Sequence, residues 1–472
     1  MTPSRSPRAL VPVLLFVGTV VAVISSLGAP LVPAIAAATD APLPDAQWSL
    51  TATLLVGAVA TPVVGRLGDG PHRRRVVLAV LAVVTAGGVL AALPLGLGWL
   101  VAGRALQGLG LGLTPLAIAT AREALTGERS RSTIAALSLT VVAGVGLGYP
   151  LAGLAAELGG VHAAFWAGAA VSLAALLAAA AVLPPAAATA RRPLDVVGAL
   201  LLGAGLAGLL VALGQAETEG WTSPAPWLLA GGAAAALACW VRWEARTPVP
   251  LVDLRLARGR LALTAHVAAL LVGLSNYLLL ASVPVLAQTP ASPGPGFGAS
   301  LVVAGLVLLP FSAASVLGGR LARLLADRGR QQLVLPVAAV VQAGAFVLFG
   351  LTRTELWQLF AVMAVAGLGV GASFAAFPAL VVAAVPPSET GSAMSLNQVL
   401  RYVGFALGSA LTATLLGAAP APGGYAAIAV LGLAVCATTA VVSWLALGRA
   451  EGRPRGSGTA PRQVPGVSRS CR

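Results

Sequence analysis

Residues 65–75 read GRLGDGPHRRR, a short charged stretch that lies between two long apolar runs at 48–67 and 76–95. Each run has about the 20 residues that an α-helix needs to cross the hydrocarbon core of a membrane. An arginine-rich loop between two such runs is typical of membrane helices that are joined on the cytoplasmic side. The stretch therefore predicts a helical hairpin in a membrane.

The composition of the whole chain agrees with this prediction. Of the 472 residues, 58% are hydrophobic and only 9% are charged, and the mean hydropathy is +0.92. These values exclude an ordinary soluble protein, and they also exclude a disordered chain, which would be poor in apolar residues. The three cysteines (Cys239, Cys436 and Cys471) are too few and too scattered for a disulfide framework or a metal cluster. We expect no cofactor.

Apolar segments of spanning length recur about fourteen times along the chain. They lie at 10–38, 48–67, 76–95, 98–121, 132–157, 162–184, 195–214, 226–243, 262–286, 298–319, 332–351, 355–378, 393–418 and 424–447. The sequence thus predicts an all-α integral membrane protein with about 14 transmembrane helices. The first segment has the flanks of a signal peptide, but the thirteen that follow favour an uncleaved helix.

The charges separate when the loops are assigned alternately to the two sides of the membrane. One side receives the N-terminus, the arginine-rich loops after spans 2, 4, 6, 8 and 10, and the tail. The other side receives Arg353 together with Asp40, Asp45, Glu217, Glu219 and Glu355. This asymmetry places both termini in the cytoplasm. It also explains the net charge of +14 by membrane topology, so we expect no nucleic-acid partner.

Two parts of the chain resemble each other at an offset of about 255 residues. Trp99 precedes the glycine-rich run at 108–112, and Trp357 precedes a similar run at 367–371. This pattern predicts two six-helix repeats with a two-helix insertion, and chance similarity of Gly- and Leu-rich helices is the alternative. The predicted units are a cytoplasmic N-terminus (1–9), a first half (10–190), an inserted pair (191–258), a second half (259–447) and a disordered cytoplasmic tail (448–472). Parallel repeats are typical of alternating-access transporters.

Four stretches resemble motifs of the major facilitator superfamily and, within it, of the fourteen-span drug:proton antiporter family. The loop at 65–75 resembles the signature between spans 2 and 3, except at Gly70 and His72. Residues 103–108 (GRALQG) are similar to the family's Arg-and-Gln motif, and residues 144–153 (GVGLGYPLAG) are similar to its antiporter motif with the proline displaced by one position. Residues 195–199 (DVVGA) and 243–254 resemble the inserted helix pair of the fourteen-span group.

The resemblance implies a secondary active transporter of the plasma membrane, the inner membrane in a bacterium. It implies export of a small organic or drug-like molecule by alternating access in exchange for protons, with the lipid bilayer as the other partner and no required oligomer. The histidines His72, His162 and His266 lie on different elements without paired carboxylates, so the sequence argues against an enzyme. Uptake or facilitated transport of a metabolite, and a non-transporting membrane sensor of this fold, are the alternatives.

A conformational switch is predicted in the loop after span 2. Asp69 can meet the positive N-terminal end of a helix that begins near 388–392, and Gly65, Arg73 and Arg74 complete the switch. A charge contact that is made in one state and broken in the other biases a two-state equilibrium. The alternative is that these charges only orient the protein in the membrane.

Polar residues inside the apolar spans predict the substrate or coupling path. They are Ser25, Ser26, Arg104, Gln107, Asn276, Tyr277, Asn397, Gln398 and Arg401. An intramembrane arginine costs about 2.5–3.5 kcal/mol, so a functional role is the default hypothesis. For Arg104 the alternative is that the side chain extends to the outer headgroups. An anionic or neutral substrate facing Arg104 or Arg401 fits the charges better than a cation.

The sequence leaves the proton carrier open, because the acidic residues fall in loops or close to helix ends. His266 is one candidate, and a packed polar residue is the alternative. In span 5 a hinge or seal is predicted, and plain helix packing explains its composition equally well. Its residues are Gly144, Gly148, Tyr149, Pro150 and Gly153.

Overall fold

The computed structural model describes residues 7–27, 31–185, 193–291, 296–418 and 423–448, and within these ranges it contains α-helices and short 3₁₀ turns without strands. The helices are α1 (Pro7–Leu27), α2 (Val32–Thr39), α3 (Leu43–Gly68), α4 (Arg73–Ala92), α5 (Leu97–Gly108), α6 (Leu113–Ala124), α7 (Gly127–Val182), α8 (Val196–Glu219), α9 (Pro224–Glu244), α10 (Leu254–Ala257), α11 (Arg260–Gln288), α12 (Leu301–Leu306), α13 (Leu309–Asp327), α14 (Val334–Leu351), α15 (Leu356–Ala384), α16 (Thr390–Ala418) and α17 (Gly423–Gly448). The predicted all-α fold is confirmed.

Eleven helices of the described part are long and apolar enough to cross a membrane. The other three predicted spans coincide with helices that are shorter or continuous with a neighbour. The first is divided between α1 and α2, the fourth is divided between α5 and α6 by a 3₁₀ turn, and the fifth forms the first arm of α7. The second arm of α7 follows a break at Gly159 and Gly160, where φ of Gly160 is +75°. The count of fourteen spans stays a prediction.

The helices associate in two groups, with one hairpin outside them. In the N-terminal group (α1–α7), α7 packs against α1 and α4, and in the C-terminal group (α11–α17), α11 packs against α16 and α13 against α15. The groups meet where α3 and α6 contact α16 and where α7 contacts α13 and α15. Helices α8 and α9 form the hairpin, and α8 lies against both α3 and α16. The hairpin therefore covers a line along which the two groups touch.

Glycines permit the closest of these helix contacts. A Cβ atom placed on Gly371 of α15 would collide with the carbonyl oxygen of Ser315 of α13. A Cβ atom on Gly273 of α11 would lie 2.5 Å from the carbonyl oxygen of Arg401 of α16. In a membrane, where apolar surface gains little by leaving lipid, close backbone packing of this kind is a main source of helix association.

The predicted hinge or seal lies in the first arm of α7. A Cβ atom on Gly144 would lie 3.0 Å from the backbone nitrogen of Val23, so this glycine lets α7 approach α1 within one group. Gly148 is buried, and the backbone is helical throughout the motif. The structure does not describe the surroundings of Tyr149, Pro150 and Gly153. Close helix packing is thus observed at Gly144, and the hinge stays a prediction.

Candidate functional site

Asp69 follows the last residue of α3 and caps the N-terminus of α16, a helix of the other group. Its two carboxylate oxygens accept hydrogen bonds from the backbone N–H groups of Gly391 (2.7 Å) and Ser392 (2.8 Å). The first N–H groups of a helix have no partner within the helix, and its dipole favours an anion there. Helices α3 and α16 can come this close because Gly65 has no side chain. A Cβ atom at this position would lie only 2.9 Å from the carbonyl oxygen of Gly391. The structure thus joins the two segments of the predicted switch.

The burial of Asp69 has opposing electrostatic effects. Loss of water raises the pKa of its carboxyl, whereas the donors of Ser392 and Gly391 and the charge of Arg73 lower the pKa. Desolvation is the largest of these effects, so the carboxylate depends on its amide partners to remain buried. A small displacement of α16 would remove those partners and leave the charge unsupported.

Arg122, near the end of α6, binds the turn that joins α15 to α16. Its guanidinium donates to the carbonyl oxygens of Val382 (2.8 Å) and Val385 (2.9 Å) at the C-terminus of α15, and to Oγ1 of Thr390 (2.6 Å). A cation stabilises a helix C-terminus for the same reason that an anion stabilises an N-terminus. Sequence reasoning used Arg122 only for membrane topology, because no local signal connects residues about 260 positions apart.

A buried ion pair lies beside these caps. Arg66 of α3 donates to a carboxylate oxygen of Glu389 at 3.0 Å, and the two side chains are 4% and 10% exposed. Neither residue belongs to the predicted switch. We call Arg66, Asp69 and Arg122, together with residues 382–392, the intergroup contact. It lies at the end of the bundle where α3, α6 and α15 finish and α16 begins.

The remaining residues of the predicted switch stay within the N-terminal group. Arg73 donates to the carbonyl oxygen of Gly68 at 2.7 Å and forms an ion pair with Glu123 of α6. Arg74 donates to the carbonyl oxygen of Ala180 of α7 at 2.8 Å. These two arginines brace the loop that carries Asp69, and they do not reach α16 in the described structure.

Arg104 of α5 is fully enclosed in the N-terminal group. The residue is 0% exposed, which excludes the alternative that it extends to the headgroups. Its guanidinium donates to the carbonyl oxygens of Ile24 (2.9 Å) and Ser49 (3.2 Å) and to Oε1 of Gln107 (2.7 Å). It therefore ties α5 to α1 and α3. Nearby, Ser25 donates its hydroxyl to its own helix, at Val21, and the side chain of Ser26 lies outside the described part.

Arg401 of α16 has a different environment. Its guanidinium lies 4.4 Å from the ring centroid of Phe374 and 6.0 Å from that of Tyr402. Its Nε has no hydrogen-bond partner among the described residues, and no ion pair involves Arg401 there. Aromatic rings compensate a buried cation only in part. Arg401 is thus a buried charge that can accept an anionic group.

Two polar residues that precede Arg401 on α16 bond to other helices. The side-chain nitrogen of Asn397 donates to the carbonyl oxygen of Ala265 at 2.9 Å and lies 3.4 Å from Nδ1 of His266. Gln398 donates to the carbonyl oxygen of Leu111 in the N-terminal group at 2.5 Å. The structure therefore places Gln398 at the boundary between the groups, whereas Asn397 bonds within the C-terminal group.

The predicted pair on α11 lies in the same group of helices. Asn276 is buried, and its Oδ1 has no hydrogen-bond partner within the described ranges. The Tyr277 ring packs against Phe405 of α16, with 5.6 Å between the centroids. Phe405 also packs against Tyr402, so an aromatic row continues from Tyr277 to the neighbours of Arg401. Arg104 and Gln107 lie apart from this row, in the N-terminal group.

Comparison with known proteins gives several relatives of moderate identity. Over 387 residues, the chain is 29% identical to a triacylglyceride transporter of Mycolicibacterium smegmatis, covering 76% of this chain and 66% of that protein. It is 28% identical over 400 residues to a probable actinorhodin transporter of Streptomyces coelicolor (81% and 68%). It is 27% identical over 380 residues to the methylenomycin A resistance protein of Bacillus subtilis (79% and 80%). The chain spans about two thirds of the length of the first two.

The fold is also shared with a solved structure. The crystal structure of the human organic anion transporter TETRAN superposes with a TM-score of 0.65 at 17% identity, covering 93% of this chain and 100% of that chain. The sequence profile of the Major Facilitator Superfamily matches residues 14–265 and, again, residues 265–469. With its multiple membrane helices and these matches, the chain belongs to the major facilitator superfamily, a family of transporters and not of enzymes.

Proposed function

We propose that the protein is a secondary active transporter of the plasma membrane that exports a small organic molecule by alternating access, in exchange for protons. The intergroup contact carries this proposal. Side chains of one helix group cap two helix ends of the other group, and these bonds exist only while the groups touch at that end. A contact of this kind closes a central path at one end and opens it when the groups rock apart.

The orientation follows from the arginine-rich loops, which the positive-inside rule places in the cytoplasm. The intergroup contact then closes the cytoplasmic end, both termini are cytoplasmic, and the membrane is the inner membrane of a bacterium. In this proposal α1–α7 and α11–α17 are the two six-span halves, α8 and α9 are the inserted pair, and the chain is of the fourteen-span antiporter type. A single chain contains both halves, so no oligomer is required.

The names of the relatives support an organic cargo. One relative is a resistance protein for methylenomycin A, one is a probable transporter of actinorhodin, and others are triacylglyceride transporters. Export is the direction that a resistance protein requires. Small, mostly apolar molecules are therefore the first compounds to test, with different charges.

Export is tested by the accumulation of anionic, neutral and cationic compounds in an efflux-deficient bacterium that expresses the chain. We expect lower accumulation of at least one class, and a protonophore should restore it because the proton gradient drives the exchange. Cells that carry the empty vector provide the control. Unchanged accumulation of every class, with the protein present in the membrane, would contradict export, and protonophore-resistant export would contradict the proton coupling.

The substrate path is proposed to run between the groups past Arg401. Asn276, Tyr277, Asn397 and Gln398 line its C-terminal side, and Ser25, Ser26, Arg104 and Gln107 belong to its N-terminal side. Arg401 is the proposed contact for an anionic group, because its charge has no acidic partner among the described residues. The enclosed Arg104 holds α1, α3 and α5 in position around the path.

Arg401→Gln should reduce export of an anionic compound about ten- to hundred-fold, since a hydrogen bond between charged groups contributes about 1.5–3 kcal/mol. Export of a neutral compound should change little, and Arg401→Lys should retain part of the anion export. Arg320→Gln removes an exposed arginine of α13 and is the matched control. The initial rate of efflux from preloaded cells measures each effect. Efflux of a cationic dye that persists in both Arg401→Ala and Arg104→Ala would contradict the proposed preference of the transporter for anions.

A further inference from the structure

Two carboxyl groups meet where the inserted hairpin reaches the intergroup contact. Asp195 is the N-cap of α8, and Glu244 is the last residue of α9. Both carboxyls lie over Gly198, because a Cβ atom there would be 2.8 Å from Oε2 of Glu244 and would collide with Oδ2 of Asp195. The missing side chain at position 198 thus makes room for the two carboxyls. We call Asp195 and Glu244 the carboxyl pair.

Hydrogen bonds satisfy all but one oxygen of the carboxyl pair. Asp195 accepts from the backbone N–H of Gly198 at 2.9 Å and from the indole N–H of Trp243 at 3.0 Å. Oε1 of Glu244 accepts from the backbone N–H of Val252. Oε2 of Glu244 has no partner among the residues that the structure describes, although Glu244 is only 3% exposed. A carboxylate oxygen enclosed without a donor is costly, and such an atom calls for an explanation.

A proton on Oε2 would supply that explanation. The side chains of Asp195 and Glu244 are close enough for a hydrogen bond between the two carboxyls. One proton can then be donated by Glu244 to Asp195, which satisfies the enclosed oxygen and removes the repulsion between two adjacent carboxylates.

Burial and the charge of Asp195 favour a proton on Glu244, whereas the charge of Arg66 opposes it. Arg66 of α3 is the cation that faces Glu244, and the same guanidinium is bonded to Glu389. Arg66 also faces Asp69 and Asp253. The acidic groups around this one guanidinium therefore outnumber it, even before Asp195 is included. Neutralising one of several carboxylates that share a cation relieves their mutual repulsion.

We propose that Asp195 and Glu244 share one proton and form a proton-binding site of this transporter, at the junction of the inserted hairpin with the intergroup contact. The role in transport rests on the proposed proton-coupled export, whereas proton binding itself is independent of it. When Glu244 is neutral, it no longer competes with Glu389 for the charge of Arg66. A proton on the carboxyl pair therefore stabilises the intergroup contact. When the groups separate and water reaches Glu244, its O–H bond breaks and the proton passes to that water.

His266 is the other titratable candidate in this region. It lines a small cleft together with Asp253 and Glu389, and its Nδ1 lies 3.4 Å from the side-chain nitrogen of Asn397. Nε2 of His266 has no hydrogen-bond partner among the described residues, whereas a proton on Glu244 has Asp195 as its acceptor. His266→Gln is therefore a required arm of the test.

Infrared titration of the purified protein in lipid tests the proton site directly, because a protonated carboxyl has a C=O band that an ionised one lacks. At neutral pH we expect this band in the wild type and its loss in Glu244→Gln, which keeps the shape of the side chain. Asp195→Asn should shift the band and provides a second variant if the first fails to fold. Glu219→Gln removes an exposed acid of the same hairpin and should leave the band unchanged.

The result that overturns the proposal is a neutral-pH band that persists in both Glu244→Gln and Asp195→Asn. The proposal is also overturned if the wild type lacks the carboxyl band and if its pH-dependent infrared change is lost only in His266→Gln. Loss of the band in Glu244→Gln, but not in His266→Gln, supports it.

Transport in proteoliposomes separates this proposal from the proposed function. Glu244→Gln should lose proton-driven accumulation at least about ten-fold, yet keep the exchange of labelled for unlabelled substrate, which needs no net proton movement. If the wild type shows the band but no proton-driven transport, proton coupling fails while the proton site stands. If the wild type is proton-driven and Glu244→Gln is equally so, the role of the pair in transport is overturned.

Discussion

Asp69→Asn should open the bundle at the intergroup contact and reduce the proposed export at least about ten-fold. The substitution removes the charge and replaces one acceptor oxygen with an amino group that faces the N–H groups of Gly391 and Ser392. Hydrogen bonds to a charged group contribute about 1.5–3 kcal/mol, and the dipole at the helix terminus adds a fraction of about 1 kcal/mol. A loss of about 2–3 kcal/mol shifts the balance between closed and open states roughly 30- to 150-fold.

Opening can be measured as the distance between spin labels on the arginine-rich loops of the two groups. Arg75→Cys and Arg330→Cys give exposed positions for the labels once the native cysteines are replaced. The wild type should show mainly the short distance, and Asp69→Asn mainly the long one. Asp327→Asn changes an exposed acid at the end of α13 and should resemble the wild type. Equal distances and equal export in Asp69→Asn and wild type would show that the contact is not a gate.

Arg104→Ala should destabilise the folded protein by about 2–4 kcal/mol. The change removes three donors to the carbonyl oxygens of Ile24 and Ser49 and to Gln107, and it leaves a cavity in the N-terminal group. We expect a clear drop in the midpoint of thermal unfolding in detergent, and Arg104→Lys should recover only part of it because an ammonium cannot reach all three acceptors.

Arg401→Gln is the matched comparison for Arg104, since both arginines are buried but the Nε of Arg401 has no hydrogen bond among the described residues. It should change the unfolding midpoint much less while it reduces anion export. An Arg104→Ala protein that unfolds at the wild-type temperature but no longer transports would contradict the positioning role and favour direct contact of Arg104 with the substrate.

The predicted contact between Asp69 and the helix that begins near 388–392 shows that a sequence motif can indicate a contact between distant parts of the chain. The loop at 65–75 carries a recognisable motif, and the motif implies a partner at a helix N-terminus. Arg122 and Glu389 carry no such motif, and their partners lie some 260 and 320 residues away along the chain. Sequence reasoning therefore found the contact of Asp69 and missed the bonds of Arg122 and the ion pair between Arg66 and Glu389.

The carboxyl pair shows the same limit. Asp195 and Glu244 were recognised as parts of a family-like hairpin, but each lies at a helix end, where an acid is unremarkable in sequence. Only the fold places both over Gly198 and brings Arg66 near Glu244. The proton carrier that sequence reasoning left open thus has a candidate that no span prediction would have selected.

The sequence alone determined that the chain is a bundle of membrane helices, and it predicts that the arginine-rich loops lie on one side. It did so because a bilayer requires helices with satisfied backbone bonds and about 20 apolar residues, and both requirements are local. Only the tertiary structure decided which helix ends are capped across the groups, that Arg104 donates hydrogen bonds to three acceptors while Nε of Arg401 has none among the described residues, and that two acids at helix ends meet over Gly198. These properties depend on how helices cross and how closely glycines let them approach, and contacts between distant residues leave no local pattern.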